Sequence, residues 1–117
     1  MPPFDAGLLI EEYGDEGLVR DLAQLVIETM PAQITAVETA VEARDSAALR
    51  AAAHKLRGSI TPFRVPGAVE AARKLEEMGA AGDLNGADAL SRELSAGVQS
   101  LRDSARAWLD ASAAPSS

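Results

Sequence analysis

Apolar residues return at steps of three and four along most of this chain, the spacing of one face of an α-helix. The clearest run is Leu18, Leu22, Leu25, Val26, Met30, Ile34, Val37 and Val41. It predicts a long helix from about Glu16 to Ala43, with Asp15 placed to accept hydrogen bonds from the first free backbone N–H groups. Pro31 falls inside that run and removes one helical hydrogen bond. One bent helix is the first expectation and two abutting helices the second. Ahead of it, Phe4-Asp5 opens a short helix that Asp5 caps and Gly14 ends, with Phe4 and Leu9 at the two positions of a hydrophobic staple.

The same reading continues down the chain. Arg44-Asp45-Ser46 is a tight connection in which Asp45 or Ser46 caps a third helix. That helix carries Leu49, Ala53, Leu56, Ile60 and Phe63 on one seam, and Thr61-Pro62 brings it to its end. Pro66 suits the first turn of a fourth helix with Val69, Ala72 and Leu75 on its apolar face, stopped by Gly79 and Gly82. Asp83 or Asn85 caps a fifth helix, whose seam is Leu90, Leu94, Val98, Leu101, Ala105 and Trp108. No strand signals and no internal repeat occur. Four substantial amphipathic helices with short connections predict an all-α fold, an antiparallel four-helix bundle with a short N-terminal capping helix. The bundle is expected over 4–110, with a frayed tail at 111–117.

Composition narrows the function classes. With 117 residues the chain is one domain. Hydrophobic residues make up 47% and aromatics only 3%, so the core must be Leu, Val, Ile and Ala, which suits helices. The absence of cysteine excludes disulfides and Cys-ligated zinc, and a lone histidine leaves no His cluster for a metal. A net charge of −7 argues against nucleic acid and anionic membranes as partners. No segment is apolar enough to span a bilayer and the N-terminus lacks a signal-peptide pattern, so the expected location is the cytoplasm.

The one histidine carries the chemistry. His54 lies about 140° round the third helix from Leu49, at ~100° per residue, and so stands off the buried seam. Its helical neighbours are Arg50, Ala51, Arg57 and Gly58. Ala51 and Gly58 are small enough to let a partner approach the imidazole, and Arg50 and Arg57 are cations that would stabilise an anion on it. Glycine inside a helix costs up to about 1 kcal/mol relative to alanine, so Gly58 serves something other than helix stability. Between Ser46 and Leu75 stand six basic residues, Lys55 among them, and a single acid, Glu70, a local charge of +5. A basic face round an exposed histidine suits an acidic or phosphorylated partner.

The run Ala53-His54-Lys55-Leu56-Arg57-Gly58-Ser59 resembles the signature of histidine-containing phosphotransfer (HPt) domains, His-x-Leu-Lys-Gly-Ser. The order of the elements before it is similar too: a short capped helix, Tyr13-Gly14-Asp15, a long helix with Pro31 near its middle, then Arg44-Asp45. Arg57 stands in place of the usual lysine, and Arg64 in place of a second glycine. The resemblance covers about residues 4–109 and implies a four-helix bundle. It implies that His54 is the phosphoacceptor, relaying a phosphoryl group between receiver-domain aspartates, with Arg57 stabilising the phosphate. Glu76 falls where the family places a polar residue that orients the histidine ring, and Arg50, Ala51, Lys55 and Gly58 would form the binding surface. Implied partners are response-regulator receiver domains and a hybrid sensor kinase, with the protein a monomer. No cofactor of its own is implied, Mg²⁺ coming from the receiver. There is no glycine-rich phosphate loop and no kinase motif, so a phosphotransfer intermediate rather than an enzyme with its own nucleotide site is expected. Two alternatives stay open: the phosphoacceptor domain of a chemotaxis-type histidine kinase, and a helical adaptor that only docks an acidic partner. A carboxylate-bridged metal bundle lacks the Glu-x-x-His pairs it needs.

Overall fold

Each helix of the computed structural model, which describes residues 3–113, starts and stops where the local chemistry dictates. α1 (Ala6–Tyr13) is capped by Asp5, whose carboxylate accepts from the Leu8 N–H at 3.0 Å, and ends on Gly14 at φ +70°. α2 (Glu16–Glu42) is capped by Asp15, and α3 (Ser46–Ile60) by Asp45 through the Ala48 N–H at 3.0 Å. α4 (Pro66–Ala81) closes on Gly82 at φ +72°. α5 (Ala87–Ala113) follows Gly86, also at positive φ. Asp83 accepts from the Asn85 N–H in the preceding turn, so neither residue is the helix cap that the sequence suggested. Residues 114–117, the rest of the tail expected to fray, lie outside the described residues.

Pro31 does not divide α2, which runs unbroken through it; of the two expectations, a single helix is the one observed. The Pro31 carbonyl accepts from the Thr35 hydroxyl at 2.9 Å. α2 packs on α3 and α5, and α4 on α3 and α5, so the four long helices close a ring. With connections of a few residues this is an antiparallel bundle. No described helix is long and apolar enough to cross a membrane. Phe4 leads into α1 and packs its ring against Phe63 and Trp108, both at 5.7 Å between centroids, which covers one end of the bundle. Phe4 and Leu9, the expected staple, are both buried.

The core is aliphatic, as the composition requires: Val26, Met30, Val37, Leu49, Leu56, Ile60, Leu75, Leu94 and Leu101 are almost completely enclosed. Three details depart from the sequence reading. α2 carries two parallel seams one residue apart. Val19, Ala23, Val26, Met30, Gln33, Val37 and Ala40 are buried, while Leu18 and Leu25 are 41% and 56% exposed. The exposed leucines stand one residue round the helix from Val19 and Val26, off the buried seam, and Leu25 borders an open cleft shared with Gly58 and Pro62. Second, Gly79 does not stop α4 but lies within it. A Cβ there would come within 2.6 Å of the Arg50 backbone nitrogen, so glycine is what lets α3 and α4 approach. Third, Val69, Leu90 and Trp108 are only partly buried, and Ala68, Ala87 and Leu109 take the enclosed positions beside them.

Candidate functional site

α3 presents its Leu49–Leu56–Ile60 seam to the core, and His54 follows on the outer side of the same helix. Its side chain is 67% exposed, as its angular position requires. α4 runs alongside and brings Glu76 to it. The Glu76 Oε1 lies 2.8 Å from His54 Nδ1, and Oε2 lies 3.0 Å from Arg57 Nη2. One carboxylate therefore holds the histidine and the arginine together, and only a fifth of its surface is open to water.

The ring nitrogens divide their work accordingly. Arg57 Nη2 is 3.5 Å from Nδ1, too long to compete with the carboxylate and chemically mismatched once Nδ1 carries the proton. Nδ1–H donates to Glu76. The tautomer this selects leaves the Nε2 lone pair free, and no described residue bonds to it. An oriented neutral imidazole with one open nitrogen is a nucleophile, and the carboxylate behind it balances the positive charge that grows on the ring as it attacks.

Arg50, Ala51, Lys55 and Gly58 are all exposed on α3, around the histidine. Ala51 and Arg50 line a shallow open hollow of about 770 Å³ between α3 and α4, in which His54, Glu76 and Gly79 also take part. A Cβ at Gly58 would meet nothing within 4 Å, so that glycine answers no internal packing need and leaves the flank of the ring open.

The basic face is weaker than the sequence count of +5 suggests. That count stopped at Leu75 and missed the acids that fold onto it. Arg57 pairs with Glu76, Arg73 with Glu70 and Glu77, and Arg64 with Glu12 of α1. The Arg73 guanidinium holds the Glu70 carboxyl below its ordinary range, chiefly by hydrogen bonding. Arg50, Lys55 and Lys74 carry the positive charge not paired with a described carboxylate.

Arg64 sits at φ +54°, a left-handed conformation that a side chain disfavours, and its N–H closes the turn onto the Thr61 carbonyl at 3.2 Å. That conformation gives the physical sense of a glycine at this position; here an arginine adopts it, with its side chain paired to Glu12.

The exposed flank between the second and third helices, where the resemblance puts the apolar part of a docking surface, holds a groove. Leu22, Leu25, Met30, Gln33, Gly58 and Pro62 line a cleft of about 200 Å³ beside the histidine's own turn. Leu18, Leu22 and Leu25 form a second apolar stripe, more than one buried face needs.

A family model described as Hpt domain matches residues 21–106. No curated protein and no solved structure matches the chain.

Proposed function

The chain belongs to the Hpt domain family, the phosphotransfer modules of two-component signalling, and from that premise we propose that it relays a phosphoryl group between receiver-domain aspartates through His54. The observation that carries the reading is the division of the imidazole: Nδ1 is held by Glu76 at 2.8 Å, and Nε2 has no partner among the described residues, on a side chain 67% exposed.

The His54 Nε2 lone pair attacks the phosphorus of an aspartyl phosphate. The N–P bond forms as the bond from phosphorus to the aspartate oxygen breaks, and the electron pair leaves on the carboxylate. The Nδ1 proton stays with the ring, held toward Glu76. A second receiver aspartate reverses the step, and His54 returns unchanged. The acidic pocket and its Mg²⁺ belong to the receiver. Arg57 acts first on Glu76, fixing the carboxylate that fixes the ring, and its remaining N–H groups stay available to a phosphoryl oxygen. Docking falls to the exposed apolar stripe of α2 and the flank of α3, with Arg50 and Lys55 meeting the acidic rim of the receiver.

The test is transfer from phosphorylated receiver domains to the protein and on to an unphosphorylated one. His54→Gln is expected to accept no phosphate while still binding the receiver, because the ring is a small part of the contact. Phosphate arriving on the variant would overturn the reading.

A further inference from the structure

Gln33 occupies a position that should be aliphatic. The buried seam of α2 steps through Val26, Met30, Gln33 and Val37, and the glutamine is nine-tenths buried within it. Its Oε1 is out of reach of water and has no hydrogen-bond partner. An apolar side chain of the same length would fill the space without leaving a polar group unpaired. The seam therefore carries a residue that the free protein's own packing does not favour.

Its surroundings say what the amide is for. Gln33 lines both clefts that run between α2 and α3. One, of about 200 Å³, has walls of Leu22, Leu25 and Met30; the other, of about 180 Å³, is closed by Ala36, Ala52 and Lys55. The first reaches Gly58 and Pro62, which also line the hollow beside the His54 ring. A partner that seats its aspartate against His54 on this side lies over both clefts. It encloses the Gln33 amide further and can bring it the hydrogen-bond partner that the free protein lacks. The apolar walls accept an aliphatic stem, and the orphaned oxygen accepts one N–H, reached by rotation about the last bond of the glutamine side chain.

We propose that Gln33 is a specificity-determining residue of the docking surface: it pairs with an N–H donor carried on an aliphatic stem by the receiver that seats in the α2/α3 groove. This rests on the docking surface described above. Receivers that bring the donor are retained, and those that bring only apolar groups leave a buried amide unpaired and dissociate sooner.

Gln33→Met keeps the length of the side chain and removes the amide. Three measurements separate the outcomes: thermal unfolding, phosphorylation of His54 by phosphoramidate, and dissociation from the receiver that exchanges phosphate fastest in a panel. The expected result is a raised unfolding midpoint, unchanged phosphoramidate labelling and dissociation about 5–10-fold faster, since a lost hydrogen bond to a buried group is worth that much in rate. A raised midpoint with unchanged dissociation would assign Gln33 to packing alone and overturn the inference. Leu25→Ser, at an exposed site, tests the surface itself. If it weakens binding while Gln33→Met does not, the docking surface stands and the role of Gln33 falls. If Leu25→Ser leaves binding unchanged, both fall.

Discussion

The two flanks of His54 are built from different materials. Toward α4 the histidine meets a carboxylate, a guanidinium and the small residues of a shallow hollow. Toward α2 it borders an apolar cleft with exposed leucines beside it. α3 belongs to both. Two glycines show the contrast in miniature: Gly58 lies in α3 where nothing would touch a Cβ, whereas Gly79 of α4 lies where a Cβ would strike the Arg50 backbone. One glycine keeps an outer surface open and the other lets two helices close. The lesson is that orientation of the nucleophile and recognition of its partner are separable, because they use opposite sides of one helix.

That separation can be broken most severely on the α4 side. Glu76→Ala removes the acceptor of a charge-assisted hydrogen bond worth about 1.5–3 kcal/mol, so transfer rates should fall about 10-fold to 100-fold. Receiver binding should stay as it is. Stopped-flow transfer and equilibrium binding, run on the same sample, check both halves; equal losses in the two would mean the flanks are not independent. Arg57→Ala should reproduce part of this loss and add little in a Glu76→Ala background, if its first task is to hold the carboxylate.

The glycines come next. Gly79→Ala should destabilise the bundle by about 1–3 kcal/mol, because the clash is with backbone and overpacking outweighs the helix propensity gained. Gly58→Ala should instead stabilise it, by up to about 1 kcal/mol, while slowing association with a receiver. Denaturant unfolding of the pair decides this, and matching signs would remove the contrast drawn between them.

On the α2 side, Leu25→Asp should weaken receiver binding by about 1–2 kcal/mol, the worth of part of a leucine side chain buried at an interface. The lifetime of phosphohistidine in the isolated protein should not change. The smallest effects belong to exposed charge. Reversing Arg50 and Lys55 to Glu should slow association a few-fold and flatten its dependence on salt, since surface pairs contribute only about 0–1 kcal/mol each and are screened over ~8–10 Å. Association rates between low and physiological salt would show it. An unchanged slope would leave recognition to the apolar stripe alone.

Much of this was legible before any coordinates. Asp5, Asp15 and Asp45 cap the helices they precede, because a short carboxylate beside the first free N–H groups acts within one turn and needs nothing distant. The exposure of His54 followed from its angle to Leu49, also a property of one helix. The signature round it named the family, and Glu76 was assigned to the ring from the same resemblance. What a single helix cannot report is which part of it a neighbour covers. Leu18 and Leu25 have the spacing of core residues, yet the neighbouring helices cover Val19 and Val26, one position round, and leave the leucines exposed. Gly79 has the look of a helix stop, and its role is set by the backbone of another helix at 2.6 Å from where its Cβ would be. The +5 face shrank because Glu12, Glu76 and Glu77 lie outside the counted stretch yet fold onto its arginines. Periodicity, caps and motifs are local, and the sequence determines them residue by residue. Coverage, close approach and charge pairing depend on the relative placement of four helices, and that was decided only when the bundle closed.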